Sequence, residues 1–253
     1  MKKGLQLYLG LIFVLSMVIF AYGNASAQSG VVGHWTLNEG NGQTVNALNG
    51  SNGQLGSSVS EDTYDPIWTT GIYGSTGLNF SGSNFVNVPC SNCAIESQDI
   101  SVEMWIKSSS TPSVSTHLLS KGGEGCSFAS FTFWVYYEGG LRFEVASGSG
   151  QGADAGPTST GIWDGKWHHV VGTYNGSAAQ TSDRKVRLYV DGTEVGSGTQ
   201  WNGPINYSLQ YDDLIIGSYW GGGCNVGFNG AIDDVTIWDR VLSATEIAER
   251  WTN

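Results

Sequence analysis

Charge is scarce in this sequence, and positive charge scarcest of all. Lysine and arginine number 11 against 22 acidic residues, only 13% of the 253 residues are charged, and the formal net charge is −11. Such a chain has no basic patch with which to release counterions from phosphates, which argues against nucleic acid and anionic membranes as partners. Helical patterning is also sparse, and neither an internal repeat nor an interdomain linker is visible. Beyond residue 27 no apolar run is long enough to cross a bilayer.

What the chain does have begins with a leader. Lys2 and Lys3 precede an apolar run from Leu5 to Phe20 and then Ala25-Ser26-Ala27, the three regions of a secretory signal peptide. Residues 1–27 are therefore expected to be removed. Residues 28–253 remain as one secreted or cell-surface domain with a formal charge of −13 and no membrane insertion. An acidic surface suits neutral glycans, cations or plain solubility.

The four cysteines, Cys90, Cys93, Cys126 and Cys224, all lie in the exported part, where disulfides are the expected state and three connectivities are open. Cys90-Ser91-Asn92-Cys93 has no second C-x-x-C, no His pair and no βαβ pattern with which to bind zinc or run redox chemistry. It reads as a local loop clip, with Cys126–Cys224 as the other bridge.

Many short β-branched and aromatic runs, set among 37 glycines, argue for an all-β fold. In Val31–Asn38, Trp35 and Leu37 share one face. The polar stretch from Gly40 to Asp65 reads as a surface connection with brief strands. Leu78–Phe80 and Phe85–Val88 flank a turn, which predicts a hairpin. Val102, Met104 and Ile106 alternate toward a core. Phe131–Tyr137 and Leu141–Val145 form a second hairpin, Phe131, Phe133 and Val135 facing in and Thr132, Trp134 and Tyr136 facing out. Ser147–Gly161 reads as a structureless loop. Lys185–Val190 turns tightly at Asp191-Gly192, and Leu214–Gly217 is a short apolar strand. The closing strand from Phe228 to Arg240 leads into a helix whose start is written twice over, by the Ser243/Glu246 capping box and the Leu242/Ile247 staple.

Taken in order, Trp35-Thr36-Leu37-Asn38-Glu39-Gly40, Val102–Lys107, Trp167-His168-His169-Val170, Leu188-Tyr189-Val190-Asp191-Gly192, Ile215-Ile216-Gly217 and Phe228–Val235 resemble the laminin G-like jelly-roll family, the concanavalin A-like sandwich of many exported proteins. The resemblance spans the mature chain. It implies a two-sheet antiparallel jelly-roll sandwich with a short C-terminal helix and with its first and last strands adjacent. It also implies one structural calcium ion where those strands meet, held by Glu39 with Asp233 or Asp234.

Catalysis finds little support. Sandwich glycosidases carry Glu-x-Asp-x-x-Glu on one strand, because a retaining reaction needs two carboxyls about 5 Å apart; Glu103 has Trp105 beside it instead, and Asp233 and Asp234 are consecutive. His168 and His169 cannot both face one site from a strand, and the resemblance implies that they belong to the packing around Trp167. Aromatics offer apolar faces with polar rims, which suits a sugar ring, so Trp134, Tyr136, Trp201, Tyr219 and Trp220 are the candidate carbohydrate-binding residues. The expected function is that of a non-catalytic lectin or carbohydrate-binding module for an extracellular polysaccharide or glycoprotein glycan. A protein-interaction or structural domain without a sugar ligand is the alternative, and a polysaccharide-active enzyme of the same fold the third reading.

Overall fold

Strand alternation resolves into two facing sheets. The computed structural model describes residues 29–90, 93–113, 115–123, 129–136, 139–147, 151–155, 160–180, 185–198, 203–219, 224 and 226–252. The expected signal peptide, Cys126, Trp201 and Trp220 lie outside the described residues. Val32–Asn253 forms a compact unit that holds the sandwich, except for Val31 of its first strand.

Among the described residues one sheet has nine strands: β1 (Val31–Trp35), β3 (Ala47–Asn49), β5 (Ile67–Thr70), β6 (Thr76–Ser81), β8 (Asp99–Lys107), β13 (His168–Asn175), β14 (Val186–Val190), β15 (Thr193–Gly198) and β17 (Asn229–Trp238). Its main path runs β15-β14-β13-β8-β17-β1-β3, so the first and last strands are neighbours. The other sheet has eight: β2 (Thr44–Val45), β4 (Gly53–Leu55), β7 (Val86–Val88), β9 (His117–Gly123), β10 (Phe131–Val135), β11 (Leu141–Ser147), β12 (Gln151–Ala155) and β16 (Tyr211–Ile216), in the order β12-β11-β10-β9-β16-β7-β4-β2. The described strand pairs of both sheets are antiparallel, as the jelly-roll resemblance implied.

The core lies between the sheets, where Phe131, Phe133 and Val135 from one meet Val102, Met104 and Ile106 from the other, all fully buried. Gly172 on β13 sits under Phe143 of β11, and a Cβ there would lie 2.1 Å from the ring. That absent side chain is what seats the phenyl group between the layers.

Three local readings changed. The segments around Leu78 and Val86 are not a hairpin: β6 pairs with β5 and β17, whereas β7 joins β4 and β16 in the opposite sheet. Asn84 explains the crossing, because its carbonyl takes the Ser81 N–H at 2.8 Å and its amide donates to Thr63 O and Asp65 O. Its hydrogen bonds thus tie the turn to a distant loop. Within the supposed loop Ser147–Gly161, Gln151–Ala155 pairs with β11 as an edge strand, held by a backbone ladder that needs no side-chain pattern. Finally, Glu103 and Trp105 face outward as the alternation required, yet both are buried.

Helix α1 (Ala244–Thr252) supplies that cover, Arg250 reaching Glu103 and Trp251 lying 5.3 Å from Trp105. The capping box is present: Glu246 accepts from the Ser243 N–H and hydroxyl at 2.8 and 2.9 Å, and the Ser243 hydroxyl accepts from the Glu246 N–H at 3.2 Å. Leu242 and Ile247 are both buried. Arg240 first, then Ser243, hold the Glu246 carboxyl down at about 2 from its ordinary 4.5. A carboxyl ionising lower in the folded chain stabilises above its unfolded value and loses that contribution as pH falls. Amide-exchange protection in α1 is therefore expected to weaken between about pH 4.5 and 2, and Ser243→Ala to cost about 1 kcal/mol. Protection flat across that range would show that the box does not hold the helix.

Candidate functional site

Paired positions in an antiparallel sheet share a face, so register alone gives what the eight-stranded sheet turns outward. One row crosses it: Thr44, Gln54, Asn87, Ile215, Ser120, Thr132 and Glu144 are successive partners. The row is polar except at Ile215. Ser120 and Thr132, though buried, are satisfied by Ser218 O at 3.2 Å and Leu119 O at 2.8 Å.

One step along β10, Trp134 stands between His117 on β9 and Arg142 on β11. Its ring stacks on His117 at 6.1 Å with an interplanar angle of 18°, and meets Tyr136 edge-on at 5.5 Å and 80°. The Arg142 guanidinium lies 4.1 Å from the Tyr136 centroid and 5.9 Å from that of Trp134, a cation over two ring faces. Trp134, Tyr136 and Arg142 are all partly exposed.

Tyr219 is different. It is 1% exposed and packs 4.8 Å from His117, a support beneath the cluster with no free face. Of the five aromatics expected to bind sugar, then, the structure joins Trp134 and Tyr136 on one open surface and buries Tyr219 next to it. Trp201 and Trp220 fall outside the described residues.

His117 and Arg142 were missed by sequence reasoning. Arg142 was within reach of it, because a hairpin turning at Glu138–Gly140 sets Arg142 opposite Trp134. His117 had no such signal, since a bulge between Phe133 and Trp134 brings it into line. Burial pushes its pKa down to about 4, so the imidazole is neutral at pH 7. Thr132 spends its only proton on Leu119 O, so it accepts from His117 Nδ1 at 2.8 Å. That places the imidazole proton on Nδ1 and leaves Nε2 as an acceptor.

The three carboxylates expected to hold calcium do not converge. Asp233 is fully buried and takes the Ile72 N–H at 2.8 Å, the Ser75 hydroxyl at 3.1 Å and the Asp234 N–H at 2.8 Å. Desolvation, the largest influence, raises its pKa to about 6 against those hydrogen bonds. Asp234 bonds His34 Nε2 at 2.8 Å, and Glu39 Oε1 takes the Asn46 N–H at 2.8 Å. Of their oxygens, Glu39 Oε2 is buried without a partner. Among the described residues the three side chains are not gathered into a cluster of three ligand atoms. Asp233 instead pins the turn Ile72–Gly74, in which Tyr73 has φ 54°.

Among the described residues only Cys90, Cys93 and Glu96 bring three potential ligand atoms together. The two sulfurs there are joined in a disulfide, the expected loop clip. Cys224 is also disulfide-bonded, and Cys126 lies outside the described residues.

A family model described as the concanavalin A-like lectin/glucanases superfamily matches residues 80–248, more than half of the chain. Neuronal pentraxin-2 of Homo sapiens is 31% identical over 93 residues, 34% of this chain and 20% of that protein. The chain thus spans about a fifth of the length of the curated relatives it matches. Domain 4 of the extracellular arabinanase AbnA from Geobacillus stearothermophilus, solved in complex with arabinotriose, superposes with a TM-score of 0.61 at 16% identity, covering 87% of this chain and 97% of that one. The binding domain of botulinum neurotoxin DC, solved in complex with SialylT, superposes at 0.62 with 12% identity, covering 89% of this chain and 52% of that one. At such identities the likeness speaks for the fold alone. With two antiparallel sheets in jelly-roll order and a family match across both, the chain belongs to the concanavalin A-like lectin/glucanase superfamily.

Proposed function

We propose that the protein is a secreted, non-catalytic module that binds extracellular carbohydrate, on a polysaccharide or a glycoprotein, through the outer face of its eight-stranded sheet. The observation that carries this is the partly exposed Trp134–Tyr136 pair, set edge-on at 5.5 Å and backed by Arg142. Ring faces receive the C–H face of a sugar, while the guanidinium donates to its hydroxyls. The similarity to domains solved with arabinotriose and SialylT supports the reading at the level of the fold. Binding without cleavage is supported by Glu103, an outward-facing strand carboxyl, being committed to Arg250 and His169.

The test is a glycan array probed with the mature chain, residues 28–253. Discrete binding to a related set of glycans is expected. A blank array together with capture of a protein partner would instead favour an interaction domain.

A further inference from the structure

On the same sheet face, across β9 from the aromatic cluster, the polar row opens into a pocket of about 540 Å³. That falls within the range of small-molecule sites. Asn87 and Gly122 line it together with Gln54, Phe85, Tyr211 and Ile215. Gly122 has φ 69°, and a Cβ there would lie 2.9 Å from Tyr211 O, so that part of the wall is built into the backbone.

The chemistry of the walls is one-sided. The Gln54 amide nitrogen donates to three carbonyls, Gln43 O at 2.8 Å, Leu55 O at 3.1 Å and Ser58 O at 2.8 Å. This fixes the amide's orientation and leaves Oε1 as an acceptor. Asp213 is oriented by the Cys90 N–H, which donates to Oδ1 at 3.1 Å and leaves Oδ2 as a further acceptor. Asp212 also lines the pocket. Asn87, partly exposed, supplies an amide able both to give and to accept. Among the described residues no lysine, arginine or histidine lines the pocket. The nearby Lys121 is fully buried, paired with Glu96 at 2.9 Å and donating to Asp212 O.

We propose that this pocket is a separate binding site for an uncharged, hydroxyl-rich sugar ring, with Asn87, Gln54 and Asp213 taking its hydroxyl protons and Ile215 and Phe85 meeting its C–H groups. The proposal rests on the carbohydrate reading of the face and narrows it. An acidic lining with no cation among its described residues repels a sialic or uronic acid, and a surplus of acceptors calls for a ligand that brings donors.

Titration calorimetry with two panels tests it: neutral oligosaccharides, arabinotriose and maltotriose among them, and acidic ones, 3′-sialyllactose and trigalacturonate. Tetramethylammonium serves as a cation probe. The wild type is expected to bind a neutral member at least about tenfold more tightly than any acidic one, and Asn87→Leu to weaken that binding about tenfold. An unchanged urea midpoint would show that the variant is folded, and the Gly122 amide resonance should shift on binding. Preference for the acidic panel, or for the ammonium ion over neutral sugars, overturns the proposal. Neutral binding that survives Asn87→Leu and is lost in Trp134→Ala overturns the pocket but leaves the aromatic face. No binding to either panel overturns both.

Discussion

Replacing Glu103 by alanine is expected to destabilise the domain by about 3–5 kcal/mol, the cost of removing one partner from a buried ion pair. Glu103 is 3% exposed. Its two oxygens take Arg250 Nε at 2.8 and 2.6 Å, Arg250 Nη2 bonds Oε1 as well, and His169 Nε2 approaches Oε2 at 3.2 Å. Alanine would leave a guanidinium over the Trp238 ring, 4.6 Å from its centroid, stripped of its hydrogen-bonded carboxylate and balanced only by the charges of Asp234 and Glu246. It would also strip the remaining partner from His169, which is 1% exposed and whose Nδ1 already has none. Urea unfolding at pH 7 should show a lower midpoint with an unchanged slope. The pairing term is isolated by Glu103→Ala/Arg250→Met, which removes both charges and should recover much of the loss, since apolar replacement of a buried pair is often neutral. A single-mutant loss below about 1 kcal/mol would mean that α1 is held by its apolar contacts alone.

That network shows where the sequence was legible and where it was not. The alternation of Ser101–Lys107 placed Val102, Met104 and Ile106 inward, and the structure buries them. It could not say that the outward face would also be buried, because the cover comes from Arg250 and Trp251, about 150 residues later in the chain. The capping box was readable because its bonds span three residues. The β6–β7 crossing was not, because a turn of Gly, Ser and Asn looks the same whether its strands pair or part, and the deciding bonds of Asn84 reach back to Thr63 and Asp65. The site divides in the same way. The hairpin parity that sets Trp134 and Tyr136 on one face was local. The pocket was invisible, because its walls come from β4, β7, β9 and β16, which are brought together only by sheet order.

Trp134→Ala should weaken binding of whichever glycan the array identifies by about 30-fold or more, the effect of losing an aromatic hot spot worth about 2 kcal/mol. The reasoning is geometric. Trp134 stacks on His117 and meets Tyr136 edge-on, and Arg142 lies over both partly exposed rings. Truncation removes one ring face and also frees Tyr136 to rotate, so the second platform loses its fixed orientation. Trp134→Phe keeps a ring at the same position and should retain part of the affinity, whereas Arg142→Ala should leave the rings while removing the donor. Because Trp134 belongs to the outer face and not to the core between the sheets, the alanine variant should unfold cooperatively with a midpoint near that of the wild type. Weaker binding by a folded Trp134→Ala, with Trp134→Phe in between, is the pattern that a stacking surface produces. A loss under threefold in the alanine variant would move the site off this cluster and leave the pocket beside Asn87 as the surface that binds.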